Sequence, residues 1–552
     1  MLFFASQNLC SGGLPWTARL FQSGITGAAA RRTRHGGHAV TGRVFTAKDI
    51  TEDRKVDCDV CIIGSGAGGG TVAANLVAAG NSVVMLEAGP YFTRKEFALH
   101  EEAAFQNLYQ ERGTRATDDQ AITIMQGRNV GGGTTVNWTS CFRVPEKVLA
   151  TWRDRFGLSE LTTERLMPFY QATEKRLSIK TWPLGWANAN NQKLIAGAQA
   201  MGYEVDPLRR NVRECLNSGY CGFGCPVDRK QGMLVTTIQD ALKGGMQLFA
   251  EAPVQALVHD QGKIKEVVAQ IQPVKSNMPT ATTLRIRPKT VVLSAGAING
   301  PALLLKSGLN VNGLVGQGLF LHPVIGMSGL YEEPVNGFYG APQSASSHEF
   351  IERKNGIGFF IESAPIHPAL SSVAFKDFGS PTVELMSQLS HVGIMLAIHA
   401  DGFLDEDQGG EVKLRNDGRI GIAYPIIDKL KEAFKASHDV LAQLTLKAGA
   451  QKAMSFHFDS IHMHSDAERA QLQTAKYGPL EHAIFSAHQM GGCAMGANAK
   501  RSVVDPDFRY RELDNLFVAD GSVFPTSLGV NPSQTIYTLA HLASEKILSA
   551  TL

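Results

Sequence analysis

Short apolar runs that end in glycine turns recur along this chain, and their spacing sets the expected architecture. Cys58-Asp59-Val60-Cys61-Ile62-Ile63 reads as a short buried strand. Helical spacing follows over Thr71 to Ala79, then a Gly80-Asn81 turn, then a second strand at Ser82-Val83-Val84-Met85-Leu86. Together they form one strand–helix–strand unit of about thirty residues. Far downstream, Thr290-Val291-Val292-Leu293-Ser294-Ala295-Gly296 is another strand entering a glycine turn, with a helical stretch from Pro301 to Ser307. Leu516-Phe517-Val518-Ala519-Asp520-Gly521 repeats the pattern, and Gln534 to Leu548 has helical spacing. One sheet assembled from distant pieces of chain is therefore expected. The middle of the chain, from Gly329 to Glu481, carries β-rich patches such as Val392-Gly393-Ile394-Met395-Leu396-Ala397-Ile398 and no turn of this kind.

Bulk properties change this picture little. A chain of 552 residues exceeds what one hydrophobic core supports, so two or more packed domains are expected. A formal net charge of +2 gives no reason to expect a nucleic-acid partner. No apolar run approaches the roughly eighteen residues of a membrane-spanning helix, so the expected location is intracellular, cytoplasmic or peripheral to a membrane. The first 48 residues lack Asp and Glu but include Arg31, Arg32 and Arg34; residues 1–50 read as a disordered or targeting extension. Eight scattered cysteines do not make a secreted disulfide framework. Cys58 and Cys61 fall three apart in a strand, hence on opposite faces, as core packing requires.

The glycines at 64, 66 and 69 lie directly between a strand and a helix. The first allows a tight turn, the second lets backbone approach a pyrophosphate, and the third allows close helix–strand packing. The helix N-terminus would then face the phosphates. Glu87, eighteen residues after Gly69 and ending the second strand, is placed to accept hydrogen bonds from ribose hydroxyls. This pattern calls for a dinucleotide and does not choose between NAD and FAD.

Four further blocks choose. Gly127-Arg128-Asn129-Val130-Gly131-Gly132-Gly133-Thr134-Thr135-Val136-Asn137-Trp138 resembles the first signature of the glucose–methanol–choline (GMC) oxidoreductases. Gly296-Ala297-Ile298-Asn299-Gly300-Pro301, with Leu304 and Ser307-Gly308-Leu309, resembles the second, although Gly300 replaces the usual Ser or Thr and Asn310 the usual Gly. His488-Gln489-Met490-Gly491-Gly492-Cys493 resembles the segment with the family's catalytic histidine, and Asp520-Gly521-Ser522-Val523-Phe524-Pro525 through Gly529-Val530-Asn531-Pro532 the segment with its second active-site residue. The resemblance runs from Val56 to Leu548. The blocks around Gly131, Cys221-Gly222-Phe223-Gly224-Cys225 and Gly529 look most like the long-chain alcohol oxidase branch.

The resemblance implies FAD, a small-molecule alcohol oxidised to an aldehyde or ketone, His488 as general base, and Asn531 as the group holding the substrate oxygen. It implies hydride transfer to flavin N5. It places Gly64, Gly66, Gly69, Glu87, Gly131, Gly132, Thr134, Asn137, Val254, Gly296, Asp520 and Gly521 on the cofactor. Val136 stands where some members attach flavin through a histidine, so FAD is expected to be non-covalent. The implied fold is α/β, with a Rossmann-like FAD-binding domain built from residues 51–150, 205–328 and 482–552. An α+β substrate domain with an antiparallel sheet takes 151–204 and 329–481. A hydroxynitrile lyase or a photodecarboxylase would use the same fold for different FAD chemistry.

Cys215-x5-Cys221-x3-Cys225-Pro226 resembles the trio that holds a [3Fe–4S] cluster in bacterial FAD-dependent glucose dehydrogenases, and is a candidate cluster site. A cluster would send electrons to a quinone or cytochrome; without one, oxygen or a soluble acceptor is the simpler route. His457, His462 and His464 lack a fourth group for a metal and read as ordinary loop or strand residues. His322-Pro323 resembles a structural segment of the family and is assigned no chemistry.

Overall fold

The computed structural model describes residues 42–551 apart from 275 and 277. The expected extension lies outside the described residues up to residue 41. Its last part is not an extension: Arg43–Phe45 pairs in parallel with Gln247–Phe249 at one edge of a large sheet, and Ile50 is buried.

That sheet is assembled from distant segments, as the glycine-ended runs predict. From the Arg43 edge its order is Arg43–Phe45, Gln247–Phe249, Val83–Leu86, Arg54–Ile63 and Thr283–Leu293, all parallel. Thr283–Leu293 is long enough to serve two neighbours along its other edge. Its first half pairs antiparallel with Val267–Gln270, and its last three residues pair in parallel with Leu516–Val518. Parallel strands covered on both faces read as continuous apolar runs, which is why these segments were legible.

Helix limits differ from the expected ones for local reasons. The first helix spans Ala67–Ala78 and so begins inside the glycine run, whose low helix propensity hides its start. The helix after Leu293 spans Gly296–Lys306, because Pro301, expected at its first turn, sits within it.

A second sheet is antiparallel. It runs His462–Met463, Lys452–Ser455, Val324–Leu330, Val392–Ala400, Gly358–Ser363, Ala345–Ser347 and Asp206–Pro207. Val324–Leu330 pairs residue for residue with Val392–Ile398. The helix Asp428–Lys447 packs on it, with Leu430, Phe434, Leu441 and Thr445 buried along one stripe.

His438, on that helix, clusters with His457 and His482 in tilted and edge-on contacts, ring centroids 4.8 to 5.3 Å apart, and both ring nitrogens of His482 lack partners. Burial pushes His457 down to about 4 and His482 to about 3, below the ordinary value of 6.5. Protonation then favours the unfolded chain, so their contribution to stability is full above pH 6.5 and is lost as pH falls toward 4. Replacing His482 by Phe removes one such group. The variant's denaturation free energy, measured by urea titration at several pH values, is expected to rise relative to the parent as pH falls below 6.5. The relative gain is about 1.4 kcal/mol per pH unit. A difference that stays constant with pH would refute this account.

Candidate functional site

A cavity of about 510 Å³ lies where the parallel sheet meets the antiparallel one. On its wall the strand Arg54–Ile63 gives way to the turn Gly64–Gly66. Gly64 has φ +98°, and a Cβ there would lie 2.3 Å from the Ser294 carbonyl oxygen. Gly69 supports Gly64 from below, since a Cβ on it would lie 2.0 Å from the Gly64 oxygen. Gly68, not singled out in the sequence, is tighter still: its Cβ would lie 1.7 Å from the Ala519 oxygen. Gly66 is different. It has ordinary φ −70°, lines the cavity, and a Cβ there would meet no protein atom within 4 Å. The adjoining helix N-terminus has no side-chain cap, so its first amides remain for a ligand.

Most of the expected cofactor residues meet at this cavity: Gly64, Gly66, Glu87, Gly132, Thr134, Asn137, Val254, Gly296, Asp520 and Gly521 all line it. Gly69 and Gly131 do not; they shape the turns beneath it. The Gly131 amide donates to the Ser65 hydroxyl oxygen at 2.9 Å. Glu87 is more committed than the sequence suggests. Its Oε2 accepts from Ser65 Oγ at 2.6 Å and Ser65 N at 3.1 Å, and its Oε1 from Gly89 N at 2.8 Å. Asp520 Oδ2 accepts from Gly296 N at 2.7 Å and Oδ1 from Ser522 N at 2.8 Å, tying two distant glycine turns together. Burial raises both carboxyls above their ordinary values.

The residues present fit a flavin dinucleotide. Gly66 faces open space, Asn137 Oδ1 is buried without a partner at the cavity wall, and uncapped amides face inward. Val136, also on the wall, has no nucleophilic atom to bond a flavin. Arg115 was not expected. It is buried at the wall, with Nη1 donating to Gln126 at 2.7 Å and to Asn299 at 2.9 Å.

At the other end of the cavity the structure brings His488 and Asn531 together with two residues that sequence reasoning missed. His488 Nδ1 lies 3.2 Å from Nδ1 of His322, whose Nε2 accepts the Gly529 amide at 3.2 Å. Burial pushes His322 well below its ordinary value and His488 down to about 4, so both rings are neutral. With Nε2 occupied as an acceptor, His322 carries its proton on Nδ1 and donates it to His488. His488 Nδ1 is then bare, and its own proton sits on Nε2. His322 adopts φ +45°, a conformation no sequence pattern announced. The second missed residue is Glu362, buried on the strand Gly358–Ser363 and lining the cavity. Its signal was available: a lone acid in the apolar run Gly358-Phe359-Phe360-Ile361-Glu362. Asn531 Nδ2 donates to Glu362 Oε2 at 3.4 Å, and Gln343 Nε2 donates to the same oxygen at 2.6 Å.

The cysteine trio stays outside the cavity. The Asn217 amide donates to Cys215 Sγ at 3.5 Å, the Arg229 amide to Cys225 Sγ at 3.2 Å, and Arg210 to Cys221 Sγ at 3.9 Å. Among the described residues no group of three His, Cys, Asp or Glu side chains is arranged to hold a metal ion, so the trio carries no cluster assignment. His457, His462 and His464 diverge: His462 faces Asp377 at 3.1 Å and His464 the Gln451 carbonyl at 3.1 Å. Among the described residues no helix is long and apolar enough to cross a membrane.

Comparison with known proteins places these features in context. Residues 105–324 match the N-terminal domain of the GMC oxidoreductases, and residues 414–540 the C-terminal domain. An uncharacterized GMC-type oxidoreductase of Mycobacterium tuberculosis is 31% identical over 497 residues, 89% of this chain and 76% of the relative. A long-chain-alcohol oxidase of Arabidopsis thaliana is 28% identical over 514 residues, 88% of this chain and 68% of the relative. Among solved structures, pyridoxine 4-oxidase from Mesorbium loti superposes with a TM-score of 0.66 at 18% identity, covering 89% of this chain and 99% of that one. Two formate oxidase variants of Aspergillus oryzae give 0.66 and 0.67 at 16% identity, covering 90% of this chain and 99% and 98% of theirs.

Proposed function

Since the chain belongs to the GMC oxidoreductase family, we propose that it binds FAD non-covalently and oxidises a small-molecule alcohol to an aldehyde or ketone. The observation that carries this reading is one cavity with a dinucleotide turn at one end and His488 with Asn531 at the other. In this reading the Rossmann-like FAD-binding part draws on residues 51–150, 205–328 and 482–552. Residues 151–204 and 329–481 form the substrate part.

When bound, the flavin supplies a hydride acceptor at N5. The remaining work falls to side chains. His488 and Asn531 meet the alcohol oxygen and hold it as alkoxide character develops. The general-base role expected of His488 needs a bare Nε2, whereas the bond from His322 favours the tautomer with Nε2 protonated. In that tautomer His488 donates a hydrogen bond to the oxygen. Val324, Leu396, Ile398 and Phe485 form an apolar wall beside these groups, suited to the hydrocarbon part of a substrate such as a long-chain alcohol. The similarity to a long-chain-alcohol oxidase supports the same class, with oxygen the simplest electron acceptor.

The test is an absorption spectrum of the purified protein before and after anaerobic addition of long-chain, aryl and sugar alcohols. An oxidised flavin band that one class bleaches is expected. A protein that neither carries nor takes up FAD, or whose flavin no alcohol bleaches, overturns the proposal; the latter result would favour lyase or light-driven chemistry.

A further inference from the structure

Building on the reading that this cavity holds FAD, we propose that Lys230, with Arg210 beside it, is a fixed positive charge that stabilises the negative charge left on FAD by hydride uptake and so raises the cofactor's reduction potential. Among the described residues three Lys or Arg side chains are buried: Arg115, Arg210 and Lys230. Arg115 has Glu111 as its counter-ion. The partners of the other two include no carboxylate. Lys230 Nζ donates to three backbone carbonyls, those of Thr135, of Asn137 at 3.0 Å and of Cys221 at 2.7 Å. Arg210 Nε donates to Thr139 Oγ1 at 2.9 Å and its Nη2 to Cys221 Sγ at 3.9 Å, while Nη1 has no partner. Its guanidinium lies over the Trp182 ring, 4.9 Å from the centroid. Three carbonyls use all three N–H groups of an ammonium, so the Lys230 nitrogen is held in its charged form. Burial lowers its value to about 8, which leaves it charged at neutral pH.

Both cations lie behind one wall of the cavity, the loop 132–140. At one end of this loop Gly132 abuts the dinucleotide turn, where a Cβ on it would lie 2.9 Å from Gly66 Cα. At the other end Ser533, two residues after Asn531, donates from its hydroxyl to the Ser140 carbonyl at 3.3 Å. Thr134, Val136, Asn137, Trp138, Thr139 and Ser140 line the cavity in between. Lys230 and Arg210 bond to Thr135, Asn137 and Thr139 of this loop without lining the cavity themselves. They touch no substrate and act by their field, which buried surroundings screen far less than water does. Burying two like charges without a counter-ion is costly. Fastening the loop would need neither charge, because a neutral donor serves a carbonyl, and it gives no account of Arg210. An anion that forms in the cavity during the reaction accounts for both.

Hydride uptake adds two electrons and one proton to FAD, all from the carbinol C–H bond. The alcohol's hydroxyl proton leaves at the His488 end, and the electron pair of its O–H bond becomes the carbonyl π bond. One negative charge then stays on the flavin ring unless a second proton reaches it. Cations already fixed in place stabilise that charge without reorganising. The same charge arises when sulfite adds to oxidised flavin, which needs no alcohol and no turnover.

The test is the midpoint potential of the bound FAD, read against dyes of known potential, together with the dissociation constant of sulfite. In FAD-loaded Lys230→Met the equilibrium constant for two-electron reduction is expected to fall at least about tenfold, or about 30 mV. Sulfite binding weakens by a similar factor. Lys230→Arg, which keeps the charge, stays within about threefold of the parent in both. Arg210→Met shifts both in the same direction with the three Lys230 bonds in place, and it carries the test if Lys230→Met takes up no FAD. The parent gives an independent reading. Its potential is expected to fall by about 30 mV per pH unit between about pH 6 and 7.5, as one proton per two electrons requires. Unchanged values in the FAD-loaded variant, an equal loss in Lys230→Arg, or a parent slope of about 59 mV per pH unit overturns the proposal and leaves Lys230 a fastener of the loop. Failure of the proposed function reads differently: the parent takes up no FAD, or its FAD responds to sulfite and dyes while no alcohol bleaches it.

Discussion

Replacing His488 by Ala is expected to slow anaerobic flavin reduction by about 10²- to 10⁴-fold while leaving FAD bound and the fold intact. The magnitude follows from position. His488 lines the cavity at the end opposite the dinucleotide turn, and no protein group engages its Nε2 among the described residues. Removing the ring deletes the hydrogen bond to the alcohol oxygen and leaves His322 Nδ1 without its acceptor. Stopped-flow absorbance at saturating alcohol checks this, with the flavin content of each preparation read from the same spectra. A variant reduced within threefold of the parent rate would remove His488 from the reaction altogether. The size of the loss does not distinguish a donor from a base.

The second large effect is a contrast between two glycines two residues apart. Gly68→Ala is expected to destabilise the fold, because its Cβ would lie 1.7 Å from the backbone oxygen of Ala519. A carbonyl in a packed strand end cannot swing away as a long side chain can, so helix and strand must separate. Overpacking of this kind costs about 1–3 kcal/mol and at times more. Gly66→Ala is expected to leave the apoprotein's melting temperature unchanged, since its φ suits alanine and its Cβ meets no protein atom within 4 Å. The same methyl would project into the space proposed for FAD and weaken its binding by at least about tenfold, or about 1.4 kcal/mol. Thermal melts of the apoproteins and flavin fluorescence titrations check both. Unchanged FAD affinity in Gly66→Ala would mean that the cofactor does not pass over this turn.

Much of this molecule follows from its sequence taken alone. Backbone sterics made Gly64 and Gly69 necessary for the turn, and continuous apolar runs announced the parallel strands at Arg54, Val83, Thr283 and Leu516. Motif resemblance singled out His488 and Asn531, which the fold brings to one cavity. Such features are legible because they depend on neighbours within a few residues, or on a pattern carried whole in one segment.

Tertiary structure decided the rest. The need for glycine at 68 comes from a carbonyl more than four hundred residues away. Glu362 reaches the site through the register of its strand against Leu396 and Ser346, and its unequal oxygens come from Gln343 and Asn531. The protonation of His488 depends on His322 and on the amide of Gly529, three segments that only packing joins. The cysteine trio shows the opposite case: its spacing suits a cluster, yet among the described residues no group of three His, Cys, Asp or Glu side chains is arranged to hold a metal ion. Sequence determined that a dinucleotide turn and a histidine–asparagine pair were present. Which nitrogen carries a proton, and which carboxyl oxygen is free, was settled by contacts between segments distant in the chain, because hydrogen-bond direction is a property of the assembled neighbourhood.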